Sequence, residues 1–175
     1  MADSLPAAAR KAVEGVLNGR QYDFKELERQ FPSKAGVFVQ VLYKGEPRGS
    51  VGFPEPVHSI GKATVLAAKA AAFEDPRFTP VKKEMLADCR FEVSILSKLS
   101  EVKGPRKELP GKIGKGQGIM IRFGPSEGVL LPGELEEFKP EEALDAACEK
   151  AGLAPETRKD ENAKIYTFTV RTLTE

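Results

Sequence analysis

Histidine, cysteine and tryptophan are nearly absent from this chain of 175 residues, which has one histidine, two cysteines and no tryptophan. Zinc and iron–sulfur centres usually draw on several cysteine and histidine ligands, so the chain cannot build the common arrangements by itself. Cys89 and Cys148 lie far apart in amphipathic segments, and we expect two buried, inert thiols rather than a disulfide. We therefore expect no metal ion or other cofactor.

Long apolar runs are also lacking, and none approaches the roughly 18–20 residues that a membrane-spanning helix needs. Residues 1–6 lack the basic and apolar regions of a signal peptide, so we expect a cytoplasmic protein without membrane association. Basic and acidic residues nearly cancel, at 27 and 26. This balance disfavours nucleic-acid binding by the whole surface, although a local patch remains an alternative.

Apolar and charged residues are present in the proportions of a folded domain. Hydrophobic residues make up 41% of the chain and charged residues 30%, which suits a core under a hydrated surface. The length fits one domain, or one domain carrying a small lobe. Ser4 can cap an opening helix and Pro6 suits its first turn, so we predict an N-terminal helical segment over residues 1–35.

Beyond that segment, the pattern predicts hairpins, helices and strands in a repeating order. The predicted elements are a hairpin over residues 36–53, helices over 59–74 and 79–86, a strand over 91–95, a second hairpin over 118–131, a helix over 140–152 and a last strand over 166–170. Hairpin-connected strands favour an α+β fold with a mainly antiparallel sheet. The two hairpins begin alike, at Gly36 and Gly118. This likeness suggests an internal duplication of a β-β-α-β unit, with chance similarity as the alternative.

A cluster of glycines over residues 111–118 does not fit a phosphate-binding motif. A dinucleotide-binding loop starting at Gly114 needs glycine at position 119, which is isoleucine, and a phosphate loop needs lysine at position 117, which is glutamine. The cluster also precedes a strand, whereas both motifs open a helix. The basic loop over residues 103–115 could hold phosphate or nucleic acid, but we favour a solvated loop.

Two segments carry a more specific signal. Residues 47–52 read Pro-Arg-Gly-Ser-Val-Gly, and residues 71–78 read Ala-Ala-Phe-Glu-Asp-Pro-Arg-Phe. They resemble the Leu-Arg-Gly-Cys-Ile-Gly signature and the Ala-Ala-x-x-Asp-Pro-Arg-Phe block of the AMMECR domain family. Further similar blocks follow in the family's order at residues 91–97, 128–132 and 150–153.

This resemblance implies a single AMMECR-type domain over residues 1–175, with two β-rich repeats that form one barrel-like sheet with flanking helices. It implies no established reaction, so whether the protein is an enzyme stays open. Family members are often found near or fused to Memo-like proteins and radical-SAM proteins. The resemblance therefore implies an accessory role in a shared small-molecule modification pathway, with a Memo-like protein as a partner.

The chain departs from the family pattern at two positions. Ser50 stands where the signature has cysteine, and Gln117 stands where the family often has histidine. The first change removes a thiolate, the stronger nucleophile at neutral pH, and the second removes an imidazole. The one histidine, His58, lies in a loop eight residues after Ser50, and we interpret it as structural or solvated rather than as half of a catalytic pair. Binding is therefore favoured over bond-breaking at the signature.

The residues that we expect to line a ligand-binding cleft are Arg48, Gly49, Ser50, Gly52, Asp75, Arg77 and Gln117. A guanidinium can hold a carboxylate or phosphate bidentately, so Arg48 is the candidate contact for a small anion. The alternative for Arg48 is an internal ion pair with Asp75 or another acid. Asp75 alternatively caps backbone amides of the Asp-Pro turn, and Arg77 either locks that turn or faces the cleft.

Three functions stay open on the sequence alone. The leading hypothesis is binding of a small anionic ligand at these residues. The second is a protein-interaction or regulatory module, which predicts an exposed apolar patch near Phe53 and Val57 or a self-associating edge strand. The third is nucleic-acid or ribosome-linked binding through residues 103–115, which the near-neutral charge disfavours.

Overall fold

The computed structural model describes residues 4–175, and residues 1–3 of the predicted N-terminal segment lie outside this range. The chain divides into two compact units. The first comprises the chain up to Leu96 together with Arg171–Glu175, and the second comprises Ser97–Val170. In sequence, the second unit is therefore an insertion within the first.

The elements follow one another in a simple order. The α-helices are α1 (Leu5–Leu17), α2 (Lys25–Gln30), α3 (Ile60–Phe73) and α4 (Pro140–Lys150). The strands are β1 (Val37–Tyr43), β2 (Glu46–Phe53), β3 (Cys89–Leu96), β4 (Ser100–Glu101), β5 (Gly118–Phe123), β6 (Ser126–Leu130), β7 (Lys164–Phe168) and β8 (Val170–Thr174). Across residues 4–175, each helix is too short or too polar to cross a membrane.

The strands form two four-stranded sheets, one in the order β2-β1-β3-β8 and the other in the order β4-β7-β5-β6. The hairpins β1–β2 and β5–β6, and the pairs β1–β3 and β5–β7, are antiparallel. The expected mixture of helices and antiparallel strands is therefore confirmed. The expected single barrel-like sheet is not confirmed: within residues 4–175 the strands divide between two four-stranded sheets, and neither closes into a barrel. The duplication stays a prediction.

The core of the first unit forms because apolar residues recur at the spacing of each element. Ser4 caps α1 by accepting a hydrogen bond from the Ala7 amide at 3.4 Å. On β1, every second side chain is buried: Val37, Val39 and Val41. Helix α3 presents small side chains to the sheet, which lets its backbone approach β1 and β2 closely; its buried alanines are Ala63, Ala67, Ala68, Ala71 and Ala72.

The second unit has a separate core built by the same principles. Helix α4 buries one face, and β5 and β7 contribute branched side chains. The fully buried members are Ile119, Ile121, Leu144, Ala147, Cys148, Ala163 and Ile165. The acidic residues Glu141 and Glu142 lie in the first turn of α4, where they complement the helix dipole.

Two predicted elements differ from those in the structure. The helix predicted over residues 79–86 is a 3-10 turn that begins only at Lys83. Thr79 lies before this turn, and its hydroxyl accepts a hydrogen bond from Arg48. The last predicted strand, over residues 166–170, is split at Thr169 into β7 and β8, which belong to different sheets.

Candidate functional site

The signature segment lies on β2, where the hairpin with β1 contains a bulge. Leu42 of β1 pairs with Pro47 of β2. The preceding residue of β1, Val41, pairs with Gly49, so Arg48 is an extra residue without a partner across the hairpin. A bulge bends its strand and re-aims the side chain at the extra position. The direction of the Arg48 side chain is therefore set by the backbone of the hairpin.

The two signature glycines lie where backbones approach each other closely. A Cβ atom added at Gly49 would lie 1.8 Å from the carbonyl oxygen of Ala71 in α3. A Cβ atom added at Gly52 would lie 2.3 Å from the carbonyl oxygen of Val37. Both distances are far below van der Waals contact, so each glycine is required by a neighbouring segment of this chain.

Asp75 is the buried centre of a hydrogen-bonded cluster directly after α3, and only 6% of the residue is exposed. Its Oδ1 atom accepts hydrogen bonds from the Arg77 backbone amide at 3.1 Å and from Arg77 Nε at 3.0 Å. Its Oδ2 atom accepts from Arg77 Nη2 at 2.7 Å and from the Ser50 backbone amide at 2.9 Å. The carboxylate is thus a backbone cap and an ion-pair partner at once.

The same cluster also covers part of the open edge of β2. Ser50 donates its amide to Asp75, while its carbonyl accepts a hydrogen bond from Arg77 Nη2 at 3.2 Å. Because β2 is the edge strand of its sheet, these two backbone groups would otherwise be available to another strand. The Asp75–Arg77 pair therefore joins the turn after α3 to the edge of the hairpin.

These contacts change the acidity of Asp75. Burial alone would raise the pKa of its carboxyl group. The hydrogen bonds from the Arg77 side chain and from the Ser50 and Arg77 amides, together with the positive charge of Arg77, outweigh that effect and lower the pKa to about 2. The carboxylate is therefore ionised throughout the physiological pH range.

Arg48 is only partly satisfied by the protein. Its Nη2 group donates a hydrogen bond to the Thr79 hydroxyl, whereas its Nε group is buried and has no hydrogen-bond partner. The ion pair between Arg48 and Asp75 that the sequence left open does not occur, because Asp75 is paired with Arg77. Buried donors without acceptors are uncommon in native proteins and call for an explanation.

Gln117 lies in the second unit, apart in sequence from the other predicted site residues. Its Oε1 atom accepts a hydrogen bond from the Gly114 amide at 2.8 Å, which closes the glycine-rich loop on itself. Gln117 also lines a cleft of about 670 Å³ whose apolar walls include Ile113, Leu135 and Phe138. The structure thus assigns Gln117 a loop-closing contact.

The remaining candidates have mainly structural contacts. The ring of His58 packs edge-on against Phe53, with centroids 5.3 Å apart. Cys89 and Cys148 are free and buried, as expected, and burial raises the pKa of both thiols. Within residues 4–175, no group of three or more histidine, cysteine, aspartate or glutamate side chains is placed to hold a metal ion.

The basic loop uses at least two of its cations to hold itself together. Lys112 Nζ donates to the carbonyl of Lys103 at 2.8 Å, and Arg106 Nη2 donates to the carbonyl of Glu161 at 2.6 Å. Side chains engaged in this way are less available for phosphate groups. These contacts favour the structural interpretation of the loop over nucleic-acid binding.

Sequence reasoning missed two parts of the site. The bulge at Arg48 leaves no local signal, because it shows only when β1 and β2 are paired. Thr79 is in the sequence only the first residue of the helix predicted over residues 79–86, whereas in the structure its hydroxyl accepts from Arg48. The position of Thr79 only two residues after Arg77 was the available hint.

The protein has an α+β fold in which a helix packs against each of two antiparallel sheets: α3 against β1 and β2, and α4 against β5 and β6. The candidate site is the bulged hairpin of the first unit, which carries Arg48. The model of the AMMECR1 family matches residues 6–173, and the chain belongs to this family. It is 40% identical over 171 residues to the protein PF1979 of Pyrococcus furiosus, covering 92% of this chain and 81% of that protein.

Other relatives agree with this assignment. A protein of Aquifex aeolicus is 37% identical over 165 residues, which cover 91% of this chain and 85% of that protein. The crystal structure of the uncharacterized protein PH0010 from Pyrococcus horikoshii has a TM-score of 0.90 at 36% identity. That match covers 98% of this chain and 89% of the solved one.

Proposed function

We propose that this AMMECR1-family protein binds a small anionic ligand at the bulged hairpin, with Arg48 as the contact for the anion. The observation that supports the proposal is the buried Arg48 Nε group, which has no hydrogen-bond partner. A buried unsatisfied donor costs about 1–3 kcal/mol, and more when it is charged. Because this group has no exposed surface, the Arg48 side chain must turn before a carboxylate or phosphate oxygen of the ligand can accept from it and remove that cost.

Within this proposal, Asp75 and Arg77 position the site rather than contact the ligand. Asp75 accepts four hydrogen bonds, two from the Arg77 side chain and two from backbone amides. Gly49 and Gly52 hold the strand in place, and the hydroxyl of Ser50 is the neighbouring candidate donor. A contact between Gln117 and the ligand stays a prediction.

The proposed ligand also has a place in a pathway. The ligand would be an intermediate of the modification pathway that the family resemblance implies, made or consumed by Memo-like or radical-SAM proteins. A binding role suits a chain that carries Ser50 in place of the signature cysteine, since a hydroxyl donates hydrogen bonds but is a weaker nucleophile than a thiolate.

Calorimetric titration with inorganic phosphate and with acetate tests the role of Arg48. We expect Arg48→Ala to weaken anion binding at least about tenfold, which is 1.4 kcal/mol, and Arg48→Lys to bind with intermediate affinity, since an ammonium lacks the planar donor fork. Arg29→Ala is the matched control, because Arg29 is an exposed arginine paired with Glu26. No binding by the wild-type chain, or equal binding by the Arg48→Ala and Arg29→Ala variants, contradicts the proposal.

A second candidate, the interaction module, is favoured by one observation. Val57 is 57% exposed and follows the edge strand β2 closely in sequence. In this second proposal the exposed Val57 side chain contacts a second copy of this chain. Sedimentation equilibrium distinguishes the candidates: this one requires self-association that Val57→Asp abolishes and Arg48→Ala does not.

A further inference from the structure

A second arginine of the first unit, Arg10 on α1, already holds a carboxylate. Its Nε group donates to Glu175 Oε1 at 2.6 Å, and its Nη2 group donates to Glu175 Oε2 at 2.8 Å. The backbone amide of Phe91 donates to the same Oε2 atom at 3.1 Å. Two parallel guanidinium hydrogen bonds and one amide form a three-donor receptor for a carboxylate.

The receptor is held in place by groups other than its occupant. Arg10 Nη1 donates to the carbonyl of Leu86 at 2.9 Å, and Arg10 Nη2 also donates to the carbonyl of Cys89. The guanidinium lies over the ring of Phe91, with 5.2 Å between Cζ and the ring centroid. These contacts fix the direction of the guanidinium even when Glu175 is absent, so the donors are pre-organised.

The receptor opens into a cleft of about 600 Å³ with further positive charge. Lys44 and Arg90 line this cleft together with Arg10, whereas its acidic residues are Asp88 and Glu175. Lys44 Nζ lies 3.9 Å from Asp88 Oδ2, a loose contact with both side chains largely exposed. Among the residues that line the cleft, displacement of Glu175 would leave three cations and one carboxylate, so a ligand with two negative charges is favoured over one with a single charge.

We infer that this cleft, here named the Arg10 cleft, is a binding site for small dicarboxylates, and that Glu175 is a tethered occupant which the ligand displaces. One carboxylate of the ligand takes the place of Glu175 on Arg10 and the Phe91 amide. The second lies toward Lys44 and Arg90. The site does not include Arg48, so its failure would leave the proposed function at the bulged hairpin untouched.

Titration with succinate, and with acetate as the single-charge comparison, tests the inference on the full chain. A tethered carboxylate competes at an effective concentration in the millimolar range. We therefore expect Glu175→Ala to bind succinate at least about tenfold more tightly than the wild-type chain. Acetate should bind the same variant more weakly than succinate, and adding Arg10→Lys should remove most of the gain because the bidentate geometry is lost.

Glu127→Ala is the matched control, because Glu127 accepts from Arg122 Nε at 2.7 Å in the second unit and Arg122 has nearly the same exposure as Arg10. It should gain no succinate affinity. If Glu175→Ala fails to fold, Glu175→Gln keeps an acceptor oxygen without the charge and is expected to show a smaller gain. Equal succinate affinity in the Glu175 variants and in Glu127→Ala overturns the inference, as does a gain in affinity that persists after Arg10→Lys. In either case the Arg10–Glu175 pair has only a structural role.

Discussion

The two units bring a hairpin and a helix together in the same way, although their surroundings differ. In the first unit, Gly49 of β2 lies against the carbonyl of Ala71 in α3. In the second, Gly128 of β6 lies against the carbonyl of Ala147 in α4. Added Cβ atoms would be 1.8 Å and 2.0 Å from these oxygens. In both units a glycine therefore allows the helix backbone to rest directly on the strand.

The units differ in what surrounds this contact. The pairing of β5 with β6 runs from Ile119↔Leu130 to Phe123↔Ser126 without a shift in register, whereas β1–β2 contains the bulge at Arg48. After α3 the chain turns through Asp75, whose buried carboxylate pairs with the half-exposed Arg77 side chain. After α4 it turns through Gly152, whose φ is +73°. Because the second unit makes the helix–strand contact without a bulge, the bulge at Arg48 is not needed for that contact.

The largest expected effect comes from filling the space at the two shared glycines. Gly49→Ala and Gly128→Ala each place a Cβ inside the contact radius of a helix carbonyl, so the helix must move away from its sheet. We expect each to lower the free energy of unfolding by at least about 3 kcal/mol, measured by urea denaturation with circular dichroism.

Gly133→Ala is the control for both variants, since no atom lies within 4 Å of its added Cβ. We expect a change within about 0.5 kcal/mol for that variant. A Gly128→Ala variant as stable as Gly133→Ala would break the comparison, because the second unit would then tolerate a wider separation of helix and strand.

An intermediate effect is expected from the Asp75–Arg77 ion pair of the first unit, in which the carboxylate is buried. In the native chain the pKa of Asp75 is about 2, below its ordinary value of 3.8. The charged carboxylate therefore stabilises the fold above pH 3.8, and this contribution is lost as the pH falls toward 2. We expect Asp75→Asn to cost about 2 kcal/mol at neutral pH, with the difference from wild type shrinking between pH 3.8 and 2.

Urea titrations at neutral pH and near pH 2 measure that difference. Glu127→Gln removes the carboxylate charge from the Arg122–Glu127 pair of the second unit, whose carboxylate is more exposed than that of Asp75, and should cost less than about 1 kcal/mol. Equal costs for the two variants at neutral pH would show that the first unit gains no extra stability from burying its carboxylate.

The smallest expected changes in stability come from N-terminal capping of α3 and α4, the two helices that pack on the hairpins. Ser59 caps α3 by accepting a hydrogen bond from the Lys62 amide at 3.3 Å. Lys139 occupies the corresponding N-cap position of α4, and its side chain makes no capping hydrogen bond. The Lys139 amide already donates to Glu142 at 3.0 Å, so Lys139→Ser would complete a capping box. We expect Ser59→Ala to lose about 1 kcal/mol and Lys139→Ser to gain about 0.5 kcal/mol. Thermal unfolding of both variants checks the opposite signs.

Local patterns in the sequence predicted much of this frame. The alternation of apolar residues fixed the position of β3, and the alanine-rich segment fixed α3 to within one residue at each end. Turn residues at Gly45 and Gly124, both with positive φ, marked the hairpins. These features depend on neighbouring residues, so a single sequence carries enough information about them.

The contacts that form the site join residues far apart in the sequence, so local patterns could not predict them. Asp75 lies 25 residues from the Ser50 amide that it accepts from, and Arg10 lies 165 residues from Glu175. Local spacing does not reveal such pairs. The sequence did single out Asp75 and Arg77, and it left open whether they cap the turn or face a ligand.

The insertion of Ser97–Val170 into the first unit also fixes the order in which the nascent chain can be completed. The ribosome synthesises β1 to β3 first, the whole second unit next and β8 last. Until β8 emerges, the side of β3 that it will cover presents open backbone donors and acceptors. The second unit is continuous in sequence and needs no later segment. Translation therefore leaves this edge of β3 unpaired while the whole second unit is made, and an unpaired strand edge invites wrong pairing.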